Sequence, residues 1–335
     1  MPQRIIFPQP GEARLVGFDS RAPGAGEIRV CTLYSLMSIG TETTILHARY
    51  EPGSHFAARF SFPQIKTGVQ AIGVVAELGA GVTEFHAGDR VYMRMARTAE
   101  ATLAAATCSP VPADLDPKAA CWCGLAKTAF RAAHAAPFAL GGQALIIGAG
   151  PVGQMTVRWA ACAGMHEITV ADISALRLAA AARGGATRCF EGSIEDLRAP
   201  LLAHAANAGF DIVVDTTGNP AVLGSALGLA APFGKVVLLG DTGYPSLQTL
   251  SSDVMTKGLT IVATHDHQDR GGFTQRRIDA LFFHLMRAGS FKLDGLITHD
   301  FSPRDCAAAY ALAGERRHEA LGILFDWTAM GASAA

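Results

Sequence analysis

Gly148-Ala149-Gly150-Pro151-Val152-Gly153 is the stretch on which the fold turns. Its G-x-G-x-x-G spacing is common by itself, so the context decides. The apolar run Ala144–Ile147 precedes it, a helical pattern over Val152–Ala163 follows, and a second apolar run, Glu167–Ala171, comes next. In such a strand–helix–strand unit Gly148 permits the tight turn, Gly150 lets the backbone approach a pyrophosphate, and Gly153 lets helix and strand pack closely. Pro151 and Val152 begin the helix, whose N-terminus offers unpaired N–H groups and a partial positive charge. Asp172 stands 19 residues beyond Gly153, at the end of the second strand. A carboxylate there accepts hydrogen bonds from ribose hydroxyls and repels a 2′-phosphate, which favours NAD over NADP. Ile173 beside it is counted with the cofactor contacts. For Arg177, one helical turn on, covering the adenine or ribose and lying solvated on the surface are both open.

Working outward, four more apolar runs of strand length continue the pattern: Thr187–Phe190, Asp211–Asp215, Lys235–Leu239 and Leu259–Ala263. Ala- and Leu-rich helical segments lie between them. Six strands alternating with helices predict a doubly wound parallel sheet covered on both faces, a Rossmann domain. The first third differs. Arg4–Phe7, Ala13–Phe18, Glu27–Leu36, Val69–Leu78 and Arg90–Met95 are short strand candidates separated by Gly- and Pro-rich turns, a mostly β unit. Near the C-terminus come a helix around Gln275–Ala288, a second around Pro303–Ala313 with Ser302 as N-cap, and a final strand, Leu321–Phe325. Thr328–Ala335 is expected to be a frayed tail. The expected division is 1–124, 125–264 and 265–335.

Composition excludes several classes. Among 335 residues, 50% are hydrophobic and 17% charged, which disfavours disorder and coiled coil. A net charge of −1 gives no field for a nucleic-acid backbone or an anionic lipid surface. No apolar stretch is long enough to span a bilayer, and the N-terminus lacks a signal-peptide core, so the expected location is the cytoplasm. Seven scattered cysteines form no disulfide framework, and the C-x-C pair Cys121/Cys123 is tighter than common zinc spacings.

Beyond the cofactor fingerprint, Pro8–Gly11, Pro23–Glu27, Gly79–Val82, Gly88–Val91, Ser38-Ile39-Gly40-Thr41-Glu42 and Ala320–Leu324 occur in order along the chain. In this order and spacing the chain resembles the medium-chain dehydrogenase/reductase superfamily, over nearly its whole length. The resemblance implies a GroES-like β-rich catalytic domain, a Rossmann domain, and a C-terminal return to the first, with the active site in the cleft between them. It also implies where metal ligands would stand. Ile39 occupies the position of the cysteine in C-G-T-D, and Val69 that of the histidine in G-H-E. Neither side chain has a lone pair. Cys123 falls near a third ligand position, and the four-cysteine loop of a structural zinc is missing. The expectation is therefore no metal site and no zinc among the cofactors.

The resemblance places Thr41 where members hydrogen-bond the alcohol and relay its proton; capping the loop is the other role open to it. Glu42 is an acid–base candidate, or else pairs with a nearby arginine or backbone N–H. His47 is a candidate proton relay, or a surface histidine. Thr128 matches a threonine that packs on the nicotinamide. Thr216 and Gly240 follow the fourth and fifth strands, whose carboxyl ends face the ligand crevice. His47, Glu51 and His55 share a four-residue spacing that on one helix could bind a metal, but Pro52 and Gly53 interrupt that helix; His265-Asp266-His267, after the sixth strand, is expected to be structural or solvated, at a dimer edge or a domain cleft.

Three functions follow. The leading one is NAD-dependent interconversion of a secondary alcohol and a ketone without zinc. The run Ser38–Glu42, with Tyr34–Met37 before it, is similar to a subgroup that includes bacteriochlorophyllide hydroxyethyl dehydrogenases, which leaves the substrate open. The second is a quinone or enone reductase, and the third a dinucleotide-binding sensor without turnover. The apolar sixth strand at a sheet edge implies a homodimer.

Overall fold

Antiparallel sheet dominates the N-terminal part. In the computed structural model, which describes residues 1–205 and 208–330, the chain runs through β1 (Gln3–Phe7), β2 (Arg14–Gly17), β3 (Glu27–Leu36), α1 (Ile39–Leu46), α2 (His55–Arg59), β4 (Ile65–Lys66), β5 (Ala71–Leu78), β6 (Arg90–Met93), β7 (Glu100–Ala104), β8 (Ser109–Pro110), α3 (Pro117–Ala120) and α4 (Cys123–Ala135). In β3 every second residue from Ile28 to Thr32 is buried, as expected of a strand with one face on a core. Ile28 and Val30 pack with Val75, Val91 and Met93 of the neighbouring strands. Strands β4 and β8 are two residues each, too short to show a period, and β7 lies in an alanine-rich stretch; none was predicted.

The middle of the chain forms β9 (Gln143–Ile147), α5 (Pro151–Cys162), β10 (Glu167–Asp172), α6 (Ala175–Arg183), β11 (Arg188–Glu191), α7 (Arg198–His204), β12 (Phe210–Asp215), α8 (Val222–Leu229), β13 (Ala230–Leu238), α9 (Asp253–Thr256) and β14 (Thr260–Ala263). All six predicted strands are present. They pair in parallel in the order β11-β10-β9-β12-β13-β14. Leu145, Ile146, Val213 and Val214 in the central pair are fully buried, which is why these strands read as unbroken apolar runs. The order reverses at β9, so a crevice opens at the carboxyl ends of β9 and β12.

After β14 come α10 (Gln275–Arg287), β15 (Ile297–Phe301), α11 (Cys306–Glu315) and β16 (Gly322–Asp326). Helix α10 packs on α4, and α4 packs on α5, so this helical layer joins the two units across residue 124. β16 then pairs with β3, giving a seven-stranded sheet, β15-β16-β3-β5-β6-β8 with β7 also on β3. The C-terminal return to the first domain is thus made by β15 and β16. Ser302 Oγ accepts a hydrogen bond from the Arg304 N–H, capping a short 3-10 turn that leads into α11. Thr328–Met330 form a 3-10 turn rather than a frayed end, and residues 331–335 lie outside the described residues. No described helix is long and apolar enough to cross a membrane.

Candidate active-site cleft

A cleft of about 1390 Å³ lies between the two sheets. One wall is Ser38, Ile39, Thr41, Val69 and Thr128; the other is Gly150, Pro151, Val152, Thr216, Gly240 and Asp241. The glycine loop is shaped as its spacing requires. Gly148 has φ +92°, a conformation open to glycine. A side chain on Gly153 would begin 2.0 Å from the Gly148 carbonyl oxygen. Gly150 caps α5, Pro151 is its first residue, and the free N–H groups of that turn face the cleft.

Asp172 is 9% exposed and sits at the end of β10. Its Oδ2 accepts from Ala149 N–H at 2.6 Å and its Oδ1 from Ser174 N–H at 2.8 Å. It therefore fastens the glycine loop to the second strand, and each oxygen keeps lone-pair capacity for a ribose hydroxyl. Thr216 Oγ1 donates to Gly148 O at 2.8 Å, tying the end of β12 to the same loop. Thr217 donates twice to Asp215, whose carboxyl is pushed above the usual range by burial.

Two further residues predicted as cofactor contacts flank the loop. Ile173 is 71% exposed next to Asp172 and, like Asp172, is not among the residues lining the cleft. Arg177 is buried rather than solvated, and its Nη1 lies 4.0 Å from where a side chain on Gly150 would begin, beside the glycine loop. Its guanidinium donates to the carbonyls of Arg317 and Ala320, holding the Rossmann domain to the segment before β16. Arg317 itself lines the cleft beside Gly40, exposed, with no side-chain hydrogen bond or ion pair among the described residues. A lone arginine in a loop far along the chain gave no sequence signal.

At the other end of the cleft the predicted catalytic set separates. Thr41 lines the cleft with Ser38 Oγ 3.3 Å from its Oγ1. Glu42 turns inward and is fully buried. Arg97 Nε donates to its Oε2 at 2.8 Å, Tyr310 OH to the same oxygen at 2.6 Å, and Ser38 N–H to Oε1 at 2.7 Å. Arg97 also donates to Ser35 Oγ and Leu36 O. The Glu42 carboxylate is therefore a structural ion-pair partner, and its acid–base role is withdrawn. His47 faces Gly11 and Gly314, away from the cleft, which removes it as a proton relay to this site. Thr128 lines the cleft, its Oγ1 bonded to Gly124 O at 3.1 Å.

The positions that the resemblance marks for metal ligands do not fit a metal. Ile39 is fully buried in the core behind the cleft wall, and Val69 lines the cleft with a hydrocarbon side chain. Cys123 is fully buried, and its Sγ donates to Asp279 Oδ1 at 3.2 Å. Burial and the Asp279 carboxylate hold this thiol well above its usual pKa. A different group lies on the cleft rim. His55, Asp241 and His265 bring one ligand atom each to within 4.8 Å of one another, the only such group of three among the described residues. Burial pushes His265 down and Asp241 up.

Residues 25–143 match the family described as "Alcohol dehydrogenase GroES-like domain", and residues 151–270 the family described as "Zinc-binding dehydrogenase". The chain is 28% identical over 293 residues to an L-threonine 3-dehydrogenase of Bacillus velezensis, covering 76% of this chain and 80% of that one. Among solved structures it is similar to an Escherichia coli oxidoreductase/dehydrogenase of unknown specificity, with a TM-score of 0.85, 21% identity, and 97% and 99% of the two chains covered. It is also similar to an E. coli alcohol dehydrogenase complexed with NADH, with a TM-score of 0.81, 19% identity, and the same coverage.

The second family match corrects the expectation of a cofactor set without zinc, because the nucleotide-binding half matches zinc-binding dehydrogenases. That expectation rested on Ile39, Val69, Cys123 and a missing four-cysteine loop, all positions that the resemblance fixes. Hydrocarbon at Ile39 and Val69 says nothing of donors elsewhere on the cleft.

Proposed function

The chain belongs to the medium-chain dehydrogenase/reductase superfamily, and we propose that it is an oxidoreductase that prefers NAD and interconverts a secondary alcohol and a ketone. The observation that carries the cofactor choice is Asp172, a carboxylate held against the glycine loop where a 2′-phosphate would meet its charge. The loop fits the cofactor: Gly150 and Val152 offer the first N–H groups of α5, which have no intrahelical acceptor, and the unpaired Arg317 adds positive charge in the same cleft. Bound there, NAD+ supplies the hydride acceptor. The backbone N–H groups of Gly150 and Val152 and the Arg317 guanidinium would hold the pyrophosphate and Asp172 the ribose, while Thr128, Val152 and Thr216 line the space toward Thr41. The alcohol proton passes to Thr41 Oγ1, whose own proton moves to Ser38 Oγ and solvent; both hydroxyls rotate, so either can donate. The threonine dehydrogenase relative, named for position 3 of threonine, supports a secondary hydroxyl as substrate.

The test is a steady-state comparison of Thr41→Ala and Thr41→Ser on the alcohol that a dehydrogenase panel identifies. Retained turnover in Thr41→Ala would move the reading to reduction of enones or quinones, whose delocalised enolate needs less acid help.

We also propose a homodimer. Among the described residues β14 pairs only with β13, leaving its other edge open. Near that edge Phe233 and Met255 are 84% and 87% exposed, with Leu247 and Leu250 also exposed. An open edge with such a patch favours pairing with a second copy. Light scattering at micromolar concentration should return the mass of two chains; a single-chain mass would refute it.

A further inference from the structure

A zinc-dehydrogenase match over residues 151–270, with hydrocarbon at Ile39 and Val69, raises the question of where this chain would hold a metal. We propose that it binds one zinc ion through His55, Asp241 and His265, at a site that clasps its two domains together.

The topology brings the three together. Asp241 follows Gly240 just past the end of β13, and His265 stands two residues past the end of β14. These strands are parallel neighbours, so both residues emerge on the same rim of the sheet. His55 comes from the facing wall, as the first residue of α2 in the catalytic domain. His55 Nδ1 lies 3.2 Å from Asp241 Oδ2, and the rings of His55 and His265 are 5.6 Å apart, nearly perpendicular.

Two imidazoles and a carboxylate with an open fourth position form a donor set that suits zinc. With bonds of about 2.0–2.1 Å, tetrahedral ligands stand roughly 3.4 Å from one another. The spread of up to 4.8 Å seen here closes to that by small rotations of three side chains that are exposed or half-buried. The nearby cations are partly neutralised. Arg94 pairs with Asp266, as does Lys127, while Arg59 leans toward His267, its Nη1 3.0 Å from Nε2. The cysteines near the site the resemblance implied are buried, and Cys123 is bonded to Asp279.

The experiment uses the full chain, stripped by chelator and dialysed. It is titrated with Zn(II) by calorimetry and with Co(II) by visible absorption. One zinc per chain should bind with Kd below about 1 μM, a strength that sets a built site apart from scattered surface histidines. His55→Ala and His265→Ala, both at accessible positions, should each weaken binding by about 100-fold or more, with circular dichroism unchanged. Cys123→Ala should bind as the wild type does. Because the ion joins both domains, Zn(II) should raise the melting temperature of the wild type but not of His265→Ala. Absence of binding at 100 μM Zn(II), full binding in both histidine variants, or loss of binding in Cys123→Ala would each overturn the site.

Discussion

The two ends of the cleft are built on different principles. At the dinucleotide end the chain presents backbone: free amides of α5, a glycine at positive φ, and a helix pressed against Gly148, with Asp172 and Thr216 pinning the loop. At the reactive end the Glu42 carboxylate is withdrawn. Glu42, Arg97 and Tyr310 satisfy one another in the core, leaving the Thr41 and Ser38 hydroxyls in the cleft lining. Cofactor binding is thus written into local backbone geometry. The reactive end depends on partners far apart in the chain: 55 residues separate Glu42 from Arg97, and 213 separate Arg97 from Tyr310.

The sharpest way to break this contrast is Glu42→Ala. It leaves the Arg97 guanidinium buried without its carboxylate, which costs about 3–5 kcal/mol. Urea unfolding should show that loss, while the remaining folded protein binds NADH as before. A variant that kept its stability and lost only turnover would return Glu42 to the catalytic machinery.

Thr41→Ala comes next. Turnover should fall by roughly 10²-fold, the scale of lost acid–base assistance. NADH affinity should stay within a factor of two, and Thr41→Ser should retain most activity. Kinetics and calorimetry on the same preparations separate the two ends directly.

The smallest effect concerns Asp215→Asn, at the dinucleotide end. Burial raises the Asp215 carboxyl above its ordinary value, so the folded chain takes up this proton more readily than the unfolded one. Its ionised form therefore costs stability above the folded pKa, and that cost fades as pH falls toward the unfolded value. Asparagine keeps the acceptor for Thr217 and removes the charge. The variant should gain slightly on the wild type at pH 7, and the gain should shrink near pH 4 in urea melts at each pH. A gain that grew on acidification would show that Asp215 is stabilised as the anion.

The same contrast sets what was legible in the sequence. The six Rossmann strands, the glycine loop and Asp172 were predicted because each signal is local: an apolar run, a spacing, a residue at a strand end. Strands β4 and β8 were missed because two residues carry no period. Glu42 was open between acid and ion-pair partner because Arg97 shows its role only after β3, α11 and the loop before β7 meet. Arg177 was open between cofactor neighbour and solvated surface because the acceptors that bury it beside Gly150, Arg317 and Ala320, lie some 140 residues away. The zinc expectation failed for a related reason. It tested positions fixed by resemblance, while His55, Asp241 and His265 converge only in the folded chain.

The most direct test of the cofactor assignment is a calorimetric titration of the wild type and Asp172→Ser with NADH and with NADPH at one ionic strength. The wild type should bind one NADH per chain, at least about tenfold more tightly than NADPH, a difference of about 1.4 kcal/mol. Asp172→Ser should narrow or reverse that preference. Equal affinity of the wild type for the two cofactors, or failure to bind either, would contradict it.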